Sequence, residues 1–328
     1  MKTLVENFPG QLREALRIGE SAKLTSARKK ISNVLICGLG GSGIGGTIAS
    51  ELAAQQAPVP VTVSKGYFIP KFVNENTLVI ISSYSGNTEE TISSLHLALK
   101  RKAKAVCITS GGKIAEIAGK KKLDLMIIPG GKPPRACLGY SLTQLLFILA
   151  RHKIISGKFK AQLQSAIALI EREKENIISA AQSTAEKIIG KTPIIYTTSC
   201  FEGVAVRFRQ QLNENAKILC GHHVVPEMNH NELVGWRSGS EKVSVIFLRD
   251  ADELARNNLR IEYSKKIISQ HTPHITEIRS KGKSLLEKII YFIHLTDRVS
   301  VLLAEMKGVD ALEVKVIDDL KSELAKNK

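Results

Sequence analysis

The chain has 328 residues, 43% hydrophobic and 24% charged, which is enough for two domains that each bury a core. No apolar run reaches the roughly 18–20 residues that a membrane-spanning helix needs. The formal net charge of +16 suits anionic partners, yet Lys and Arg are scattered along helix faces and loops without a basic tail or an aromatic stacking motif, which argues against nucleic acid.

Residues 3–30 read as an amphipathic helix and a basic connector, and the acids in MKTLVENFPGQLREAL exclude a signal peptide. Asn33–Cys37 predicts a strand that enters Gly38–Gly46 and a helix through Leu52. Val59–Val63, Leu78–Ile81, Ala105–Thr109 and Leu125–Ile128 predict four more strands. Helices are expected after the third strand, over 113–121 and over Leu142–Arg151. Residues 158–190 read as one long, charge-dotted connecting helix. The pattern then restarts, with strands at Pro193–Thr197, Val243–Leu248 and His274–Ile278 and helices over 202–217, 253–268, 284–306 and 316–326. Strands alternating with helices at this spacing predict an α/β protein of two doubly wound parallel-sheet subdomains, each three-layer αβα. They should span 1–157 and 191–328, joined by 158–190. The five cysteines, Cys37, Cys107, Cys137, Cys200 and Cys220, are odd in number and lie mostly in apolar runs. They read as small buried hydrophobes in a reducing compartment, so the cytoplasm is the expected location.

The most informative stretch is Ser82–Thr91, SSYSGNTEET. A β-branched run precedes it and helical spacing follows, so it reads as strand, hydroxyl-rich loop, helix. A helix start offers unpaired N–H groups and partial positive charge, and Ser83, Ser85 and Thr88 add rotatable hydroxyls. Gly86 lets the backbone approach a ligand. Together these suit a phosphate, against the blander reading of a Ser/Thr helix cap.

Gly38–Gly43 satisfies G-x-G-x-x-G, so a dinucleotide must be weighed. That fingerprint needs an acid at the end of the second strand to hold the ribose. Here the strand ends in Ser64-Lys65-Gly66. No G-x-x-x-x-G-K-[ST] is present, and Gly41-Ser42-Gly43 lacks the outer spacing of a nucleophile elbow. In the 130–135 loop, Arg135 follows two stiffening prolines, where a guanidinium could stabilise an anionic oxygen.

Two glutamates compete for a role as base. Ser199–Glu202 has capping-box spacing, which places Glu202 at a helix amino end where its carboxylate is stabilised. Glu214 falls near the carboxyl end of the same helix, where the partial negative charge favours a more basic carboxylate, so it is the better candidate. Residues 221–232 hold His222, His223 and His230 with Glu227 and Glu232. This could be a metal site, but no H-E-x-x-H or paired-cysteine spacing appears, and a positioned acid/base histidine fits at least as well.

With GLGGSGIGG, SSYSGNTEET, PPRACLGYS, QQLNENAK and PEMNHNE in that order, the chain resembles sugar isomerase (SIS) domain proteins, and more narrowly the bifunctional phosphoglucose/phosphomannose isomerases of the phosphoglucose isomerase superfamily. The resemblance covers essentially the whole chain. It implies two SIS-type subdomains and metal-independent interconversion of glucose 6-phosphate and mannose 6-phosphate with fructose 6-phosphate through a cis-enediol. Gly41 and Ser42 would contact the sugar, and Ser83, Ser85 and Thr88 would hold its phosphate. Arg135 would stabilise the enediolate, Glu214 would carry the proton between C1 and C2, and His230 would assist ring opening from a neighbouring subunit, implying a homodimer. Lys321, or else Lys315, matches a lysine of the last helix that also serves ring opening. No cofactor and no metal are implied. The rival readings are a phosphosugar-sensing SIS protein without catalysis and an amino-sugar phosphate isomerase.

Overall fold

The runs Asn33–Cys37 and Thr77–Ser82 become neighbouring parallel strands because Val, Leu and Ile fill both of their faces, and Val34–Ile36 and Leu78–Ile81 are fully buried. The computed structural model describes Met1–Lys326. In chain order it comprises α1 (Lys2–Glu6), α2 (Phe8–Ser21), β1 (Asn33–Cys37), α3 (Gly40–Ala53), β2 (Val61–Ser64), β3 (Thr77–Ser82), α4 (Glu89–Lys100), β4 (Lys104–Thr109), α5 (Gly112–Lys121), β5 (Asp124–Ile127), α6 (Leu138–Arg151) and α7 (Phe159–Arg172). There follow α8 (Lys174–Ile188), β6 (Thr192–Thr198), α9 (Glu202–Ala216), β7 (Gly221–Val225), α10 (Glu232–Gly235), β8 (Val243–Arg249), α11 (Ala255–Ile268), β9 (Ile275–Arg279), α12 (Leu285–Lys307) and α13 (Lys315–Lys326).

Two compact units result. The N-terminal unit holds Glu6–Glu173 and Lys281–Tyr291; the C-terminal unit holds Met1–Val5, Lys174–Ser280 and the chain from Phe292 on. The first sheet has strand order β2-β1-β3-β4-β5, all parallel, with Val34 opposite Leu78 and Cys37 opposite Ile81. One face packs Leu35, Cys37, Val79, Ile81 and Cys107 under Leu95 of α4 and Ile114 of α5. Burial pushes the Cys37 and Cys107 thiols up to about 12, so both behave as apolar packing groups. The second sheet, β7-β6-β8-β9, is also parallel, and Tyr196, Val245 and Phe247 pack against Ile261 and Ile268 of α11. Both halves have the doubly wound α/β arrangement expected. The strand order reverses between β1 and β3 in one sheet and between β6 and β8 in the other, and such reversals open crevices beyond the strands' carboxyl ends.

The helix read within residues 3–30 is two, α1 and α2, parted at Asn7, and two later segments also differ from the sequence reading. The single helix expected over 158–190 is two, α7 and α8, separated at Glu173. Leu163, Ile167, Ile170, Ile177 and Ala181 stay in phase across the break, which is why the periodicity alone shows one helix. Glu173 instead caps α7 and pairs with Lys281 at 2.5 Å, and the two helices belong to different units. The second difference is β7, which takes in His222 and His223 from the stretch read as a polar loop. It is an edge strand paired to β6 on one side, a place where polar side chains are tolerated. No helix among the described residues is long and apolar enough to cross a membrane.

Candidate active site

In the N-terminal unit three loops meet beyond the carboxyl ends of β1, β3 and β5. The glycine loop begins α3, and a Cβ added at Gly41 would stand 2.9 Å from the Pro134 carbonyl oxygen and 3.5 Å from Arg135 Cα. Only a glycine allows that approach. The glycine loop also reaches the Ser82–Glu89 loop, where the Tyr84 N–H donates to Ser42 Oγ at 3.2 Å. The third side is closed by Lys132, whose N–H donates to the Tyr84 hydroxyl at 3.1 Å. Gly41, Ser42, Ser83, Ser85, Thr88 and Arg135 are thus gathered by three loops in mutual contact.

Within the hydroxyl loop, Ser83 Oγ and Thr88 Oγ1 lie 3.0 Å apart, and Ser85 Oγ accepts the Asn87 N–H at 3.2 Å. Thr88 is the residue before α4, yet its side chain makes no cap bond to the helix. The cap reading of this loop therefore does not account for its hydroxyls. A serine oxygen that accepts keeps its own proton for another acceptor. Gly86, at φ +68°, supports the turn from below, since a Cβ there would lie 1.8 Å from the Gly111 carbonyl oxygen. Glu89 and Glu90 occupy the first turn of α4, and Glu89 is engaged by the Tyr67 phenol.

Arg135 is only 5% exposed. It sits in a single 3-10 turn, Pro134–Ala136, with Pro133 ahead of it. Gln11 Nε2 donates to the Ala136 carbonyl at 2.7 Å, fixing the far side of that turn. Lys132 Nζ reaches the Tyr140 hydroxyl at 3.3 Å, and Tyr140 in turn donates to Glu14. The Tyr84 phenol is raised, by burial first and then by a hydrogen bond shared with Cys137, so it stays protonated at neutral pH.

In the C-terminal unit, α9 presents Arg207, Gln211 and Asn215 at four-residue spacing as a buried polar seam. Arg207 Nη2 meets Asp297 at 2.5 Å, and Asn215 Nδ2 donates to Ser300 at 2.9 Å, both partners being on α12. The seam fixes the rotation of α9, leaving Glu214 half-buried beside it. Lys217, at φ +56°, ends α9, and its ammonium bonds the carbonyls of Glu214 and Glu313, both at 2.6 Å. Lys307 adds a bond to the Ala216 carbonyl at 2.9 Å. Lys217 and Lys307 thus cover the carboxyl end of α9. The same Lys217 contact tethers the start of the segment leading to α13, which carries Lys321. Lys321 is exposed and pairs with Asp318 at 3.0 Å, and no residue of α13 is buried. Lys315 opens that helix.

His230 is exposed, in a 3-10 turn spanning Glu227–His230. The turn is tied down on both sides of it. Asn229 Nδ2 donates to Ser264 at 2.8 Å, and Glu232 accepts from Tyr196, whose hydroxyl also receives the Trp236 N–H at 3.0 Å. The imidazole is thus projected from a fixed base. His222 is lowered, by burial and then by Arg209 and His223, with Glu232 opposing. Among the described residues no three His, Cys, Asp or Glu side chains come together as metal ligands would. Glu202, the competing glutamate, opens α9 without the capping-box bond its spacing suggested, because Ser199–Phe201 forms a 3-10 turn. The sequence pattern does not single out Tyr84, Lys217 or Lys307. Tyr84 alone leaves a signal, a large aromatic inside a loop of small polar residues.

Residues 27–149 match the SIS domain family, and residues 177–324 match the family described as the bacterial phospho-glucose isomerase C-terminal SIS domain. A bifunctional phosphoglucose/phosphomannose isomerase of Caldicellulosiruptor bescii is 36% identical over 335 residues, 99% of this chain and 98% of that protein. Another of the same description, from Aquifex aeolicus, is 36% identical over 297 residues, 90% of this chain and 91% of that protein. Among solved structures, the C-terminal domain of glucosamine-fructose-6-phosphate aminotransferase from Francisella tularensis superposes with a TM-score of 0.77 at 15% identity, covering 94% of this chain and 97% of that one; that likeness speaks to fold alone. On its length, its paired SIS domains and its identity to these relatives, the chain belongs to the bifunctional phosphoglucose/phosphomannose isomerase family.

Proposed function

We propose that this protein is an aldose–ketose isomerase that interconverts glucose 6-phosphate and mannose 6-phosphate with fructose 6-phosphate through a cis-enediol. The observation that carries the reading is the meeting of the Ser83 and Thr88 hydroxyls before the amino end of α4, with the buried Arg135 in an adjoining loop. That arrangement pairs a phosphate anchor with a fixed cation, and the reaction needs both.

The division of labour follows from the chemistry. Ser83, Ser85 and Thr88 hold the phosphate, whose remote binding energy positions the sugar without a tight grip on the reacting carbons. Gly41 and Ser42 bring backbone and hydroxyl to the sugar. Glu214 takes the proton from one carbon and returns it to the next, Arg135 stabilises the oxygen that becomes anionic in between, and His230 and Lys321 assist ring opening. Glucose and mannose phosphates share one enediol, so a turn about the single bond between C2 and C3 presents the opposite face of C2 to the base and gives both epimers. The chemistry is complete with a base, oxyanion donors and an anchor.

The exposed His230 on its fixed turn suits a homodimer in which each copy completes its partner's site. The free cysteines, three of them buried, suit a reducing cytoplasm. The test is Glu214→Gln, which keeps the shape and removes the base. Near-complete loss of turnover with phosphosugar binding retained supports the assignment, and normal turnover overturns it.

A further inference from the structure

Tyr84 lies in the hydroxyl loop of the N-terminal site, and its polar groups tie that loop to the glycine loop, to the end of β4 and to the 130–135 loop. Its N–H donates to Ser42 Oγ at 3.2 Å. Its carbonyl accepts from the Ser110 N–H at 2.9 Å and the Ser110 hydroxyl at 2.7 Å, at the end of β4. Its phenol oxygen accepts the Lys132 N–H at 3.1 Å and shares a further hydrogen bond with the Cys137 thiol.

The Lys132 contact has the most consequence. Ahead of Lys132 lie Gly130 and Gly131, the latter at φ +78°, a pair with the backbone freedom of a hinge. After it come Pro133 and Pro134, whose rings lock φ. An anchor at Lys132 is therefore carried stiffly to Arg135, while without it the loop would swing at the glycines. The Lys132 ammonium bond to Tyr140, at 3.3 Å on a flexible stem, is the softer restraint. Gln11 holds only the far side, through Ala136.

We infer that Tyr84 is a positioning residue for Arg135, its phenol fixing the guanidinium where charge develops while its backbone shapes the phosphate loop. Proton transfer depends on that placement; phosphate binding does not. The inference rests on the role proposed above for Arg135.

The experiment is a double-substitution cycle of Tyr84→Phe and Arg135→Ala, assayed with fructose 6-phosphate and with inorganic phosphate as a competitive inhibitor. Tyr84→Phe should lower kcat roughly tenfold, the scale of one lost oriented hydrogen bond, with the KM and the phosphate inhibition constant within about twofold of the parent. In the Arg135→Ala background the same change should have no further effect on kcat. Lys132→Pro, which deletes the N–H from the other partner, should reproduce the Tyr84→Phe loss, and Lys132→Ala, which keeps it, should not. An unchanged kcat in Tyr84→Phe, an equal loss in both backgrounds, or a phosphate constant that rises in step with the loss each overturns the positioning role. A neutral Tyr84→Phe beside an active parent and an impaired Arg135→Ala removes this inference alone. A parent without turnover removes the isomerase reading and this inference with it.

Discussion

The Ser83 and Thr88 hydroxyl oxygens lie 3.0 Å apart although five residues separate them. Thr88 stands just before α4 without spending its side chain on a cap. Two hydroxyls so placed can both turn their protons toward one anion. Replacing Ser85 and Thr88 together by Ala should raise the KM for fructose 6-phosphate at least roughly tenfold, the scale of hydrogen bonds to a charged group, while kcat falls much less. An unchanged KM in steady-state assays removes the phosphate role from this loop.

The Arg207–Asp297 pair joins α9 to α12 with both side chains almost wholly buried. Burial pushes the Asp297 carboxyl up, while Arg207 and Gln211 pull it back. Removing one partner strands a charge in the interior, so Arg207→Ala should cost about 3–5 kcal/mol in urea unfolding. A loss below about 1 kcal/mol would show that the seam is hydrated or replaceable.

Acid should destabilise the fold through two histidines. Burial, then Arg298, lowers His294 to about 3, and Arg298 Nε donates to its Nε2 at 3.4 Å. His152 is lowered to about 4 by burial and then Lys104, with Asp124 opposing. Both start from an ordinary value of 6.5, so below that pH the unfolded chain binds more protons than the folded one. Stability is then lost as pH falls, by about 1.4 kcal/mol per pH unit for each histidine. His294→Gln should flatten the pH dependence of urea unfolding by that slope between about pH 6 and about pH 5. An unaltered slope contradicts the buried neutral imidazole.

If two copies share each site, variants broken in different residues should rescue one another. Glu214→Gln and His230→Ala, each inactive alone, should recover roughly a quarter of parental activity after subunit exchange, since half of the dimers are mixed and each mixed dimer has one intact site. No recovery, with mixed dimers shown by mass spectrometry, places both residues in the same copy's site.

The sheets were legible because their central strands are buried on both faces and carry continuous aliphatic runs, as in Val34–Ile36 and Val79–Ile81. The hydroxyl-rich turn between β3 and α4 was legible because Ser83, Ser85, Gly86 and Thr88 lie close together in sequence. The break at Glu173 was hidden because the apolar phase continues through it. β7 was hidden because an edge strand can carry His222 and His223 in place of apolar residues. The Lys307 cation over the end of α9 was hidden for another reason. Lys307 stands far along the chain from Ala216, and a pattern read locally gives no hint of such a contact. Tyr84 shows the same limit, since its partner Lys132 lies forty-eight positions on.

Isomerase activity is read most directly from fructose 6-phosphate turnover with purified protein, following glucose 6-phosphate and mannose 6-phosphate separately. Both products should form, through a shared enediol. No product, with phosphosugar still bound, would contradict the isomerase assignment and leave a phosphosugar-binding protein without catalysis.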